Sequence, residues 1–244
     1  MKDIILIIGA SSDIGLDLIK RIDKCYSDCL ILAHYNSDNI NLSKLSFSVK
    51  NEMILLNADL TNEKETMHLV NEIETTYGIP NKIVHLVAAS IKNIRFKDIL
   101  WKDFKKDIDI SLRSSVLILS KFLPKIDKNN GGKVVLMLSS YVFGIPPKAL
   151  SHYVTTKYSL LGLAKSLAIE YADKNIQVNS VSPSMIDTKF LNNINERLVE
   201  MSAYNHPLKR NASVEDVTPI IMMLISKESD YINGANIPIT GGSS

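Results

Sequence analysis

Five consecutive aliphatic residues, Ile4-Ile5-Leu6-Ile7-Ile8, run directly into Gly9-Ala10-Ser11-Ser12-Asp13-Ile14-Gly15, and a helix-period pattern begins at once. A run that is apolar at every position, not at alternate ones, fits a strand buried on both faces, the situation of a parallel sheet. It is too short for the apolar core of a secretion signal and far too short for a membrane span. Glycine at 9 permits a tight turn, and glycine at 15 lets the helix pack close to the strand. In that arrangement, backbone N–H groups of the turn and of the helix N-terminus face outward together, as a dinucleotide pyrophosphate requires. A glycine-rich stretch alone is a weak signal, but this one has the buried strand before it and the helix after it.

The rest of the chain repeats the alternation. Strands are predicted at 4–8, 29–34, 53–57, 82–88, 133–138, 176–182 and 236–239, and helices near 14–24, 62–77, 99–122, 152–173 and 213–226. A weaker helical pattern near 39–48 is polar and reads mostly as loop. Strands separated by helices imply βαβ crossovers, hence a doubly wound Rossmann-type α/β fold: a seven-stranded parallel sheet with helices on both faces. Connections are short and no linker breaks the composition, so residues 1–244 read as one domain. The polar, Asn-rich stretch 184–212 follows the sixth strand and is expected to act as a lid, since open α/β sheets bind ligands beyond the carboxyl ends of their strands.

Composition narrows the function. Charged residues make up 22% and the formal net charge is +2, with both signs spread along the chain. This gives no reason to invoke nucleic acid or a membrane surface. Cys25 and Cys29 read as unpaired thiols in a reducing cytoplasm, and no Cys/His cluster has metal-ligand spacing, so no metal is expected. His68, His85, His152 and His206 share no pattern and read as structural.

Tyr153-Val154-Thr155-Thr156-Lys157 places a phenol and an ammonium at i and i+4, on one face of a helix. With nine tyrosines and 28 basic residues in the chain, chance supplies about one such pair. Its position matters more: it opens the helix after the fifth strand, and Ser139-Ser140 ends that strand. A carbonyl that accepts hydride develops negative charge on oxygen, and a phenol can protonate it. The reference phenol pKa is near 10, and a neighbouring ammonium is expected to lower it.

These residues resemble the short-chain dehydrogenase/reductase family, in particular its 3-oxoacyl-[acyl-carrier-protein] reductases. Gly9 to Gly15 is similar to the family's T-G-x-x-x-G-x-G loop, with Ile8 in place of Thr and Asp13 in place of the middle Gly. Asp13 is a good helix N-cap, and its carboxylate is expected to weaken phosphate binding unless it points away. Ser140 stands 13 residues before Tyr153, the family's Ser…Tyr-x-x-x-Lys spacing, and Ser139 is its close rival. Ser111 stands where the family has a catalytic Asn, and Val87-Ala88-Ala89-Ser90 stands for N-N-A-G. Residues 179–188 resemble V-N-x-V-x-P-G-x-x-x-T, with Ser184 for Gly.

The resemblance implies roles. Tyr153 donates the proton, Lys157 also holds the nicotinamide ribose, Ser140 orients the carbonyl, and Ser111 joins the relay behind Lys157. Gly9, Ser11, Ser12, Asp13, Ile14 and Gly15 would hold the pyrophosphate, with Asp59 and Leu60 at the adenine and Ala88 and Ala89 along the cofactor. Pro183, Ile186 and Thr188 would meet the carboxamide. At the end of the second strand, Ala33-His34-Tyr35-Asn36 has no acid until Asp38 and no Arg. With Ser12, His34 and Asn36 able to hydrogen-bond a 2′-phosphate, NADP is favoured over NAD. The expected partner is a small carbonyl substrate, and the expected assembly a homotetramer or homodimer through the helix from Ser151 and its predecessor. A sugar or nucleotide-sugar reductase, and a catalytically weak Rossmann binding protein, are the competing readings.

Overall fold

The structure is a computed structural model. It describes residues 2–48 and 50–243, so the ends of the 1–244 domain and Val49 lie outside the described residues, as does the side chain of Asn193. Among the described residues seven parallel strands form one sheet in the order β3-β2-β1-β4-β5-β6-β7. They are β1 Asp3–Ile8, β2 Cys29–Tyr35, β3 Glu52–Asn57, β4 Lys82–His85, β5 Gly132–Met137, β6 Ile176–Pro183 and β7 Asn236–Ile239. The strand order reverses between β1 and β4, and that switch point opens a crevice at the carboxyl edge.

Side chains alternate across the sheet. Leu6, Ile8, Leu30 and Leu32 face one core, which α3 (Glu63–Glu72), α5 (Ser114–Phe122) and α6 (Ser151–Glu170) cover. Ile5, Ile7, Ile31 and Ala33 face the other, covered by α1 (Asp13–Cys25) and α8 (Val214–Leu224). Every residue from Ile5 to Ile8 is fully buried. Each such side chain contributes about 1.5–3 kcal/mol relative to exposure, which explains why β1 is apolar at consecutive positions.

The segment 39–48, expected mostly as loop, is loop apart from a single turn, α2 (Ile40–Ser43). Other expectations need correction. The fourth strand ends at His85, although the Leu86 N–H still donates to the Ile8 carbonyl. The helix expected at 99–122 is interrupted: α4 (Trp101–Asp107) passes through a π-helical stretch, Ile108–Arg113, before α5. The stretch 184–212 contains a 3₁₀ segment, Lys189–Asn193, and a ten-residue helix, α7 (Glu196–Asn205). No helix among the described residues is long and apolar enough to cross a membrane.

Candidate active site and dinucleotide cleft

A cavity of about 1010 Å³ runs along the carboxyl edge from the first turn to Tyr153 and under the segment 183–202. At its floor Gly9 has φ +86°, and a Cβ there would lie 2.8 Å from Val87 Cγ1. A Cβ on Gly15 would lie 2.5 Å from the Ala10 carbonyl oxygen. Both glycines are therefore fixed by sterics, although Gly15 itself does not line the cavity. The helix cap is Ser12, not Asp13: the Ser12 hydroxyl accepts from Gly15 N at 3.1 Å and donates to the Gly9 carbonyl at 2.7 Å. Asp13 sits one residue inside, and its carboxylate accepts from the Lys189 backbone N–H at 2.8 Å. The unexpected acid thus ties the glycine turn to the start of the lid. Gly9, Ser11, Ser12, Asp13 and Ile14 all line the cavity, and the first N–H groups of α1 lack intrahelical partners by geometry. This turn fits a dinucleotide pyrophosphate.

Beyond the turn, His34 and Asn36 also line the cavity. His34 is not available to a phosphate, however. Its Nδ1 accepts from Gly9 N at 3.2 Å and its Nε2 faces the Ala58 carbonyl at 3.0 Å. Burial pushes its pKa down to about 4, so the ring is neutral and acts as a pin between β2, the glycine turn and the end of β3. Asp59 and Leu60 lie outside the cavity lining. Asp59 accepts from the Thr61 N–H and hydroxyl, and Leu60 is core, its carbonyl taken by Arg113. Ala88 lines the cavity, whereas Ala89 is buried behind it.

On α6, Tyr153, Lys157, Leu160, Ala164 and Ala168 follow one another at three- and four-residue spacing, and all are buried. The reactive pair therefore shares the face that packs on the sheet, which aims it at the ends of β4 and β5. Tyr153 and Lys157 both line the cavity. Lys157 Nζ donates to the Met137 carbonyl at 2.8 Å and lies 5.5 Å from the Tyr153 ring centroid. The expected lowering of the phenol pKa by the ammonium is not what the site shows. Burial dominates and pushes the Tyr153 pKa up, against a lowering hydrogen bond from Ser139. Burial pushes the Lys157 pKa down to about 8. The physical reason is placement: the ammonium is held by a carbonyl over the ring rather than at the phenolic oxygen.

The serine that acts on the phenol is Ser139, the rival of Ser140: its hydroxyl lowers the Tyr153 pKa against burial, while accepting from the Tyr141 N–H at 3.4 Å. β5 ends at Met137, Ser139 is extended, and Ser140 opens a short 3₁₀ turn. Both serines line the cavity. Ser111 does not. It lies in the π-helical stretch, almost fully buried, with its hydroxyl 3.4 Å from the Val87 carbonyl and its own carbonyl accepting from Ser115 at 2.7 Å. Pro183, Ile186 and Thr188 line the opposite wall, where Ile186 bridges to Ala212. Sequence reasoning missed Ile91, Asn93, Tyr141 and Lys148 along the substrate end. It also missed a buried pair, Asp107 and His152, 2.5 Å apart.

The likenesses to known proteins agree with this geometry. A family model described as enoyl-(acyl carrier protein) reductase matches residues 9–244. The 3-oxoacyl-[acyl-carrier-protein] reductase FabG of Rickettsia bellii is 30% identical over 241 residues, covering 97% of this chain and 95% of that one. Among solved structures, a short-chain type dehydrogenase/reductase from Mycobacterium ulcerans superposes with a TM-score of 0.86 at 21% identity, covering 98% of this chain and 89% of that one. ElxO with NADP bound superposes at 0.85 and 24% identity, covering 99% and 98%. The chain belongs to the short-chain dehydrogenase/reductase family, the NAD(P)-dependent oxidoreductases that act on carbonyl and alcohol groups.

Proposed function

We propose that this chain is an NADPH-dependent reductase of 3-oxoacyl thioesters, folded as one domain with residues 184–212 as its lid. The observation that carries the reading is the convergence of Ser139, Tyr153 and Lys157 on a cavity that begins at the Gly9 turn. When bound, the dinucleotide supplies the hydride that forms the new C–H bond at the carbonyl carbon. Tyr153, neutral because it is buried, gives its phenolic proton to the carbonyl oxygen as the C=O double bond becomes an alcohol. Ser139 orients that oxygen, a role the family spacing assigns to Ser140; Ser139 is favoured because its hydroxyl is the one that lowers the Tyr153 pKa. Lys157 holds its ammonium beside the phenol and is the group on hand to meet the nicotinamide ribose. Ser111 supports the Val87 carbonyl from behind and does not touch substrate.

NADPH is favoured because no carboxylate guards the end of β2. Asn36 and Ser37 line the cavity there, and Asp38 is turned to accept from the Ile40 N–H at 2.9 Å. ElxO, similar in fold, is described with NADP bound. Ile91, Leu150, Met185, Ile194 and Leu198 give the substrate end an apolar lining, which suits an acyl chain better than a sugar. The thiols of Cys25 and Cys29 are unpaired, which suits a reducing cytoplasm. The test follows NADPH absorbance with acetoacetyl thioesters and keto-sugars side by side. Turnover of the thioester at least tenfold faster supports the reading. Faster turnover of the keto-sugar replaces the substrate class, and dinucleotide binding with no turnover of any carbonyl favours the binding-protein alternative.

A further inference from the structure

The loop that forms one wall of the substrate end, residues 90–95 after β4, has no fully buried side chain and no regular structure. Ile91 and Asn93 nevertheless line the cavity. Two hydrogen bonds anchor the loop, and both reach the segment just before Tyr153. Ile94 N donates to the Ala149 carbonyl at 2.9 Å. His152 Nε2 faces the Lys92 carbonyl at 3.0 Å. The other ring nitrogen, Nδ1, lies 2.5 Å from Asp107 Oδ2, with both side chains almost fully buried. Phe104 closes the ring edge-on at 6.2 Å.

Both partners of the imidazole are acceptors. The Nε2 position must carry a proton to hold Lys92, and a second proton must lie in the Nδ1–carboxylate contact. Without Asp107, His152 has no buried group to fix its tautomer and ring orientation. Without His152, a buried carboxylate has no partner.

We propose that Asp107 and His152 are positioning residues that clamp the 90–95 loop against the catalytic helix, and so set how tightly a carbonyl substrate is held at Tyr153. This rests on the reading of Tyr153 as the proton donor. The pair also brings a carboxylate close to the reacting groups. The groups that face it are Lys157 and Tyr153 from α6 and Lys106 from its own helix, and Tyr141 faces Tyr153 from the turn after β5. Asp107 raises the pKa of both Tyr153 and Lys157.

Two variants separate the clamp from the carboxylate itself. Asp107→Asn donates a hydrogen bond to Nδ1 and leaves Nε2–H on Lys92, so it removes the carboxylate together with the proton it shares with the ring. It should leave the carbonyl KM within about twofold. The double change Asp107→Leu with His152→Phe keeps an apolar fill but removes both bonds. It should raise the carbonyl KM about tenfold or more while dinucleotide affinity, read by fluorescence titration, stays within about twofold. Tryptic cleavage after Lys92 and Arg95 in the NADPH-loaded protein should also quicken about tenfold, a readout that needs no turnover. If the double variant does not fold, His152→Asn, too short to reach both acceptors, should move KM and cleavage the same way. The clamp is overturned if KM and cleavage stay at wild-type values in the folded variant. It is equally overturned if dinucleotide affinity falls in step with KM, which marks a general loss of structure. A carbonyl KM raised about tenfold in Asp107→Asn overturns it as well, because that variant keeps the Lys92 contact. A wild type inactive on every carbonyl, with cleavage still accelerated in the variant, removes the proposed function and leaves the clamp standing.

Discussion

The Tyr153 phenol is buried, and burial raises its pKa, so at neutral pH it carries the proton that a developing alkoxide needs. Tyr153→Phe removes that proton and little else. Turnover should fall by about 10²–10⁴-fold, the usual worth of a positioned acid, while dinucleotide affinity stays within about twofold by titration. Activity within a few-fold of wild type removes Tyr153 from its role. A second comparison separates the serines. Ser139→Ala should cost about tenfold or more in kcat/KM, and Ser140→Ala only a few-fold. The reverse order returns the role to Ser140. Their one-residue ambiguity has a physical origin. The apolar run fixes where β5 is buried but not where the chain leaves the sheet, and here it leaves after Met137. His34 escapes a sequence reading for a related reason. Its position at the end of β2 is legible, whereas the capture of both ring nitrogens by Gly9 and Ala58 depends on two other strands. Asp107 and His152 are 45 residues apart, and no local pattern joins them.

Among the elements, α1 and the central strands are legible in the sequence because burial marks each, as a helical period in α1 and as an unbroken apolar run in β1. The π-helical insertion at Ile108–Arg113 is not, since one extra residue per turn barely disturbs the apolar spacing. Helix α7 hides in a polar lid: it has no buried residue to mark a face. The segment leading into α6 shows the opposite situation, a residue used against its preference. Ala149 has φ +68°, a left-handed conformation, and its carbonyl accepts the Ile94 N–H that anchors the substrate loop. Glycine adopts that conformation without the steric cost, about 1–2 kcal/mol per residue. Ala149→Gly should therefore stabilise the protein by up to about 1 kcal/mol in urea unfolding, after the extra entropy of the unfolded chain is counted. A loss of about 1 kcal/mol, as at an ordinary position, argues against strain at Ala149.

For the whole molecule, two neutral histidines buried beneath the cleft couple stability to pH. Burial holds His34 at about 4 and His85 at about 3, against 6.5 in the unfolded chain. On acidification the unfolded chain takes up these protons first. The stability they contribute is present above about pH 6.5 and is lost as pH falls from there toward 4 and 3. Asp107, raised by burial, has the opposite sign but is a single group. The free energy of unfolding should fall by about 2 kcal/mol or more between pH 7 and 5, read by denaturant titration at each pH. A flat profile means these rings are accessible to protons in the fold. Assembly belongs to the same scale. Val116 on α5 and Tyr158 and Ile169 on α6 are exposed, and nothing lies within 4 Å of a Cβ built on Gly162. An apolar helix face open to close approach suits a second copy, with dimers or their D₂ doubling as the closed forms. Sedimentation equilibrium at micromolar concentration should give a dimer or tetramer, and a species near the 27.2 kDa chain mass rejects it.

The strand order also sets a timetable for folding. β1 is an interior strand, third of the seven, paired with β2 on one side and β4 on the other. β2 can pair onto it, and β3 onto β2, while the ribosome is still making the catalytic half, because both lie within the next fifty or so residues of chain. Closure on the other side waits for β4, and β5 and β6 must then dock in turn through crossovers that carry long loop entropies. The glycine turn is therefore built before the strand that leads to Ser139 exists. Nascent chains arrested just after β4 should already protect the amides of β1 and β2 from exchange, with dinucleotide capture preceding any capacity for hydride transfer.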